Sequence, residues 1–92
     1  MPPASKPSTP KRQVELGDRL RLRRESLDLT QEGMANKADV ERSYYAQLEV
    51  GRRNPSLDTL CRLALALNCD VGDLVSGLEK KAGPPRRPRR SR

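Results

Sequence analysis

The stretch TQEGMANKADVERSYYAQLEVG, Thr30 to Gly51, carries the spacing on which the fold turns. It reads as two short helices joined by a tight turn. Ala35 is small enough to let the first helix approach the second. Asp39 falls where the chain must reverse, and Asp tolerates positive φ better than most residues. Val40, Tyr45 and Leu48 follow as apolar positions, with Tyr45 and Leu48 three apart on one helical face. Arg42, Ser43 and Gln47 then project from the opposite face. A guanidinium, a hydroxyl and an amide on one exposed helix suit the base edges of the DNA major groove.

Working outward, Thr30 is a good N-cap for the helix it precedes, and Glu32 in the first turn suits the helix dipole. Gly33 stands where an acidic residue would complete a capping box, so that device is lost. Upstream, the spacing predicts a helix over 13–27, with Val14, Leu16, Leu20 and Leu27 turned to a core and Gly17 within it. Arg19, Arg21, Arg23 and Arg24 have Glu15, Asp18 and Glu25 as local partners. Downstream, Gly51 allows a left-handed C-cap, and Pro55 with Ser56 starts a helix over 56–67. Leu57, Leu60, Ala64 and Leu67 are enough for its core face, which leaves Cys61, Leu63 and Leu65 as surplus apolar groups. A helix that is apolar all round needs cover on every side, and the missing cover here is read as a second subunit. Asn68 can take a left-handed cap. Asp70 can start a fifth helix carrying Val71, Leu74, Val75 and Leu78.

TQEGMA, the turn, RSYYAQLE and GRRNPSL, in this order and spacing, resemble the Cro/C1-type (XRE-like) helix-turn-helix regulators, over about residues 14 to 78. The resemblance implies an all-α, compact five-helix, lambda-repressor-like domain over 13–78, including the restriction-modification controller type among its relatives. It implies that the helix over 41–49 enters the major groove, with Arg42, Ser43 and Gln47 on bases. Arg42 suits guanine bidentately, Gln47 adenine, and Ser43 several bases. Gln31, Arg52 and Arg53 fall where the family meets the DNA backbone, and Tyr44 belongs at the rim on a sugar or phosphate. An arginine at Arg24 pairs in the family with a glutamate at Glu49. Asp39 stands in place of the common turn glycine, and Glu41 in place of a better cap. The family's twofold operators imply a homodimer, with Leu65, Leu74 and Leu78 as its expected interface.

Composition sets the remaining bounds. The 92 residues include no His, Phe or Trp and only two Tyr, so the core must be aliphatic and small. Net charge is +7, unevenly placed: 1–12 carry +3, 13–78 carry −2 and 79–92 carry +6. The argument for DNA therefore rests on the motif first and on the tails' charge second. The two ends, MPPASKPSTPKR and the Arg/Pro-rich run from Glu79, read as disordered basic tails.

Cys61 and Cys69 lie eight apart, about 12 Å along a helix, too far for an undistorted disulfide. They read as buried or half-buried reduced thiols. With no His, neither a zinc site nor a nucleophile–base pair can be assembled, so no metal, cofactor or enzymatic activity is expected. No effector domain is evident, and no apolar run approaches membrane-spanning length, so a cytoplasmic protein bound to double-stranded DNA is expected. The competing reading is a protein-interaction module, such as an antitoxin subunit or coactivator, favoured by the surplus apolar groups around Leu65.

Overall fold

The computed structural model describes residues 10–81. Five helices appear in the expected order: α1 (Lys11–Ser26), α2 (Gln31–Ala38), α3 (Arg42–Glu49), α4 (Leu57–Ala66) and α5 (Val71–Val75). A short 3-10 turn, Leu78–Lys81, follows. Among the described residues there is no strand. At eight residues, α2 and α3 are too short to persist in water alone, so packing must hold them. α1 lies against α3, α5 and the 3-10 turn, while α2 packs on α3 and α4.

Four of the five helices end in one device. Asp28, Asp39 and Asn68 take φ of 58°, 58° and 57°, and Gly51 takes 82°. In each case the next residue's N–H reaches back to the last turn: Leu29 to Arg24, Val40 to Ala35, Arg52 to Gln47, Cys69 to Ala64, at 2.9 to 3.1 Å. These are Schellman-type closures, in which a left-handed residue lets the chain satisfy otherwise orphaned carbonyls. Leu29, Val40 and Cys69 also pack on the core, which pins each exit sideways. At Gly51 the following residue is Arg52, exposed instead.

The core comprises Leu16, Leu20, Met34, Ala35, Ala38, Tyr45, Leu48, Leu63, Ala64, Ala66, Leu67, Leu74 and Leu78. Tyr45 and Leu48 are inside as their spacing required. Gly17 has a structural reason to be glycine. A Cβ there would lie 2.5 Å from the Leu48 carbonyl oxygen and closer still to that of Glu49, so α1 and α3 touch backbone to backbone.

Several expectations need correcting. α1 starts at Lys11, not Gln13, so Lys11 and Arg12 belong to the helix. The Arg12 guanidinium donates to the Leu78 and Glu79 carbonyls at 3.0 and 3.1 Å. Val14 and Leu27, expected inside, are 39% and 40% exposed, because the arc facing the core is narrower than the apolar arc of α1. On α4, Ala64 and Leu67 are buried and Leu60 packs on the core as expected, but Leu63 is fully buried too, while Leu57 is 70% exposed and lines up with Cys61 and Leu65 on the outer face. Cys61 is accordingly exposed, and Cys69 half-buried, both as free thiols. Burial raises the Cys69 thiol above its ordinary pKa.

Leu74 and Leu78, expected at a subunit interface, are 0% and 8% exposed within the protomer's own core. Gly77, at φ 77°, breaks the fifth helix and folds Leu78 back against α1. The two tails, 1–9 and 82–92, lie outside the described residues. Among the described residues no helix is long and apolar enough to cross a membrane.

Candidate nucleic-acid interface

The geometry of α3 follows from what anchors its inner side. Tyr45 and Leu48 are buried, and Glu49 beside them is only 5% exposed. A buried carboxylate must be satisfied, and three side chains converge on it. Arg24 forks onto it, Nε to Oε2 at 2.6 Å and Nη2 to Oε1 at 3.1 Å. Gln31 donates its Nε2–H to Oε1 at 2.9 Å. The same guanidinium donates from Nη1 to the Leu29 carbonyl at 2.8 Å, so one arginine ties α1, the α1–α2 turn and α3 together.

Burial alone would push the Glu49 carboxyl up. Hydrogen bonds from Arg24 and Gln31, with the Arg24 charge, outweigh it and hold the pKa below the ordinary value. The hydrogen bond to Glu49 chiefly raises Arg24 in turn. Tyr45, pressed beneath the pair, has its phenol raised by burial and by the neighbouring carboxylate. Its hydroxyl is the one buried side-chain polar atom without a well-formed partner among the described residues.

The outer side of α3 is open. Arg42 and Ser43 are exposed in the first turn, beside the exposed N-cap Glu41, whose side chain makes no cap hydrogen bond. Tyr44 and Gln47 are half-buried one turn on. Arg53 bridges them: its Nε donates to Gln47 Oε1 at 2.6 Å, and its guanidinium lies 5.5 Å from the Tyr44 ring centroid, within cation–π range. Arg52 is exposed beside it. At the other end of the motif, Arg62 of α4 donates to the Asp39 carbonyl at 3.1 Å, fixing the turn between α2 and α3.

The structure thus gathers Arg42, Ser43, Tyr44, Gln47, Arg52 and Arg53 on α3 and the loop that follows it. Gln31 is different. It starts α2 half-buried with one amide N–H already on Glu49, so it belongs to the ion-pair cluster. Leu65, 78% exposed, lies on a different element, α4, with Leu57 and Cys61 along one line. Sequence reasoning missed Arg12, Arg62 and the Arg53–Gln47 bridge. Each joins side chains or carbonyls from separate parts of the fold, so none leaves a local signal in the sequence. Among the described residues no group of three His, Cys, Asp or Glu is placed to hold a metal ion.

A family model described as helix-turn-helix matches residues 20–74. The chain is similar to the control protein C.MunI of Mycoplasma sp, 38% identical over 69 residues that cover 74% of this chain and 93% of that protein. Among solved structures it resembles the restriction-modification controller protein C.AhdI from Aeromonas hydrophila. The TM-score is 0.66 at 39% identity, covering 67% of this chain and 94% of that one. It also resembles the biofilm master regulator SinR, solved in complex with DNA, with TM-score 0.64 and 27% identity over 66% of this chain and 98% of the other.

Proposed function

The chain belongs to the Cro/C1-type (XRE-like) helix-turn-helix family, and from that membership we propose a sequence-specific DNA-binding transcriptional regulator, a small homodimeric repressor or autoregulator of an inverted-repeat operator. One observation carries the reading. Arg42 and Ser43 stand exposed on a helix whose inner face is locked by Leu48, Tyr45 and the Arg24–Glu49 pair. A rigid helix presenting a guanidinium and a hydroxyl is suited to reading base edges, since a loose one would lose its discrimination to conformational entropy.

In this reading α3 lies in the major groove. Arg42 meets guanine, while Tyr44, Arg52 and Arg53 line the flanking sugar-phosphate backbone, with Gln31 on the opposite strand's side of the motif. The outer stripe of α4, Leu57, Cys61 and Leu65, supplies the contact with a second copy. Two α3 helices would then sit about 34 Å apart, one helical turn of DNA. The same stripe is the feature that favours a protein-interaction module such as an antitoxin subunit, in which α4 would meet a different chain.

Arg42→Ala tests the assignment by fluorescence anisotropy on a bound site and on random duplex at one fixed salt concentration. Loss of about 1 to 3 kcal/mol, about 5- to 150-fold, on the bound site with little change on random DNA supports base reading. Equal loss on both makes Arg42 a phosphate contact and removes it from the base-reading set.

A further inference from the structure

Gln47 and Arg53 are six residues apart, on either side of the Gly51 turn, yet they make one of the shortest side-chain contacts of the outer surface, 2.6 Å from Arg53 Nε to Gln47 Oε1. The amide's orientation follows from chemistry. A guanidinium has only donors, so the group facing it must be the carbonyl oxygen, and the NH2 must point elsewhere. The arginine is itself held by the Tyr44 ring, with its centroid 5.5 Å away. From this bridge we propose that Arg53 sets the base specificity of Gln47, turning it into a reader of hydrogen-bond acceptors. The inference rests on the DNA-binding reading of α3 and deepens it.

The amide's two ends do different work in base recognition. Recognition of adenine by glutamine uses both at once: Oε1 accepts from N6 and Nε2 donates to N7. With Oε1 bonded to a cation, one lone pair is occupied and the other is a weaker acceptor, because its electron density is drawn toward the guanidinium. The Nε2–H groups are correspondingly better donors, as in any polarised hydrogen-bond chain. Guanine offers two adjacent acceptors, O6 and N7, and thymine offers O4, whereas adenine sets its N7 acceptor beside an N6 donor that the occupied Oε1 no longer answers. Gln47 therefore prefers guanine or thymine, and the adenine preference assigned to a free glutamine is lost. Arg53's remaining N–H groups stay available to a phosphate, so a single guanidinium couples backbone contact to base reading. Tyr44 serves the same device by offering its ring to the guanidinium within cation–π range.

The test measures affinities for a panel of single-base variants of a bound site, using wild type, Arg53→Ala, Gln47→Ala and the double variant. The position that Gln47 faces is the one whose preference disappears in Gln47→Ala. There, wild type prefers guanine or thymine, and Arg53→Ala moves the ratio toward adenine by about tenfold, on top of a uniform loss at all sites. In the Gln47→Ala background, Arg53→Ala gives the uniform loss alone. A residue acting only on phosphate or on folding would shift every site together, so base order is the decisive readout. Adenine preferred by wild type, or a base order unchanged by Arg53→Ala, overturns the inference while leaving DNA reading by α3 intact. Wild type without base preference at any position brings down both.

Discussion

Replacing Gly17 by alanine reverses the sign that helix propensity alone would give. Gly17 sits inside α1, where alanine is favoured by about 1 kcal/mol. The added Cβ, however, would lie 2.5 Å from the Leu48 carbonyl oxygen and 2.7 Å from the Glu49 carbonyl carbon. Ordinary van der Waals contact starts at 3.4 Å and the Glu49 carbonyl oxygen is nearer still, so α3 would have to retreat by about 1 Å. The obstacle is backbone, which has no rotamer to yield, and the retreat opens the contact that holds the Arg24–Glu49 cluster. Overpacking of this kind costs about 1 to 3 kcal/mol.

With the upper value appropriate against backbone, the net destabilisation is about 2 kcal/mol, or about 8 to 16 °C in Tm for a domain of this size. Thermal unfolding followed by circular dichroism reads it directly. Gly72→Ala is the matched control: a Cβ there meets nothing within 4 Å, and the residue lies in α5. Its Tm should rise by a few degrees. A Gly17→Ala variant as stable as wild type would refute the close approach of α1 and α3 on which the placement of α3 depends.

Glu49→Gln removes the carboxylate charge beneath α3 and leaves Arg24 without its counter-ion. Breaking a buried pair of this kind predicts about 3 kcal/mol of lost stability at pH 7 by urea unfolding. Because the folded carboxyl lies below its ordinary value of 4.5, its stabilisation is complete above that pH and lost as pH falls through the folded pKa. The gap between wild type and variant must therefore narrow in acid below about pH 4.5, and a gap constant down to pH 2 would contradict the linkage. Leu65→Glu places a charge in the exposed α4 stripe. It should give a monomer by sedimentation while the fold and Tm persist, and a dimer that survives it would move the subunit contact elsewhere.

How much was legible in the sequence depended on how local the cause was. Asp39 at its turn and Thr30 at its cap depend on nearby backbone only, and both stand where the residue types put them: φ is 58° at Asp39, and Thr30 Oγ1 accepts from the Gly33 N–H at 2.9 Å. Asp28 uses the same left-handed device as Asp39 but gave no equal cue, lying in a run of polar and apolar residues without a recognisable turn pattern.

α4 shows the opposite case. Periodicity finds a helix's inner face from contrast, and LDTLCRLALA is too uniformly apolar to show which leucines turn inward. That is why Leu57 and Leu63 exchanged roles. Leu74 and Leu78 looked free for an interface because the packing of α5 and the following 3-10 turn onto α1 is a tertiary event. Of the candidate site, the exposure of Arg42 and Ser43 was readable from helical phase. The Arg53–Gln47 bridge was not, since it joins side chains across a turn whose path only the folded chain defines.

The central claim is that the outer face of α3 reads DNA sequence. Its most direct test is selection of bound duplexes from a random library by the purified full chain, at a single salt concentration near physiological. The account predicts an enriched motif of two inverted half-sites with centres about one helical turn apart. Retention of DNA without any enriched sequence would contradict it: binding would then belong to the basic tails, and the exposed surfaces of α3 and α4 to a protein partner.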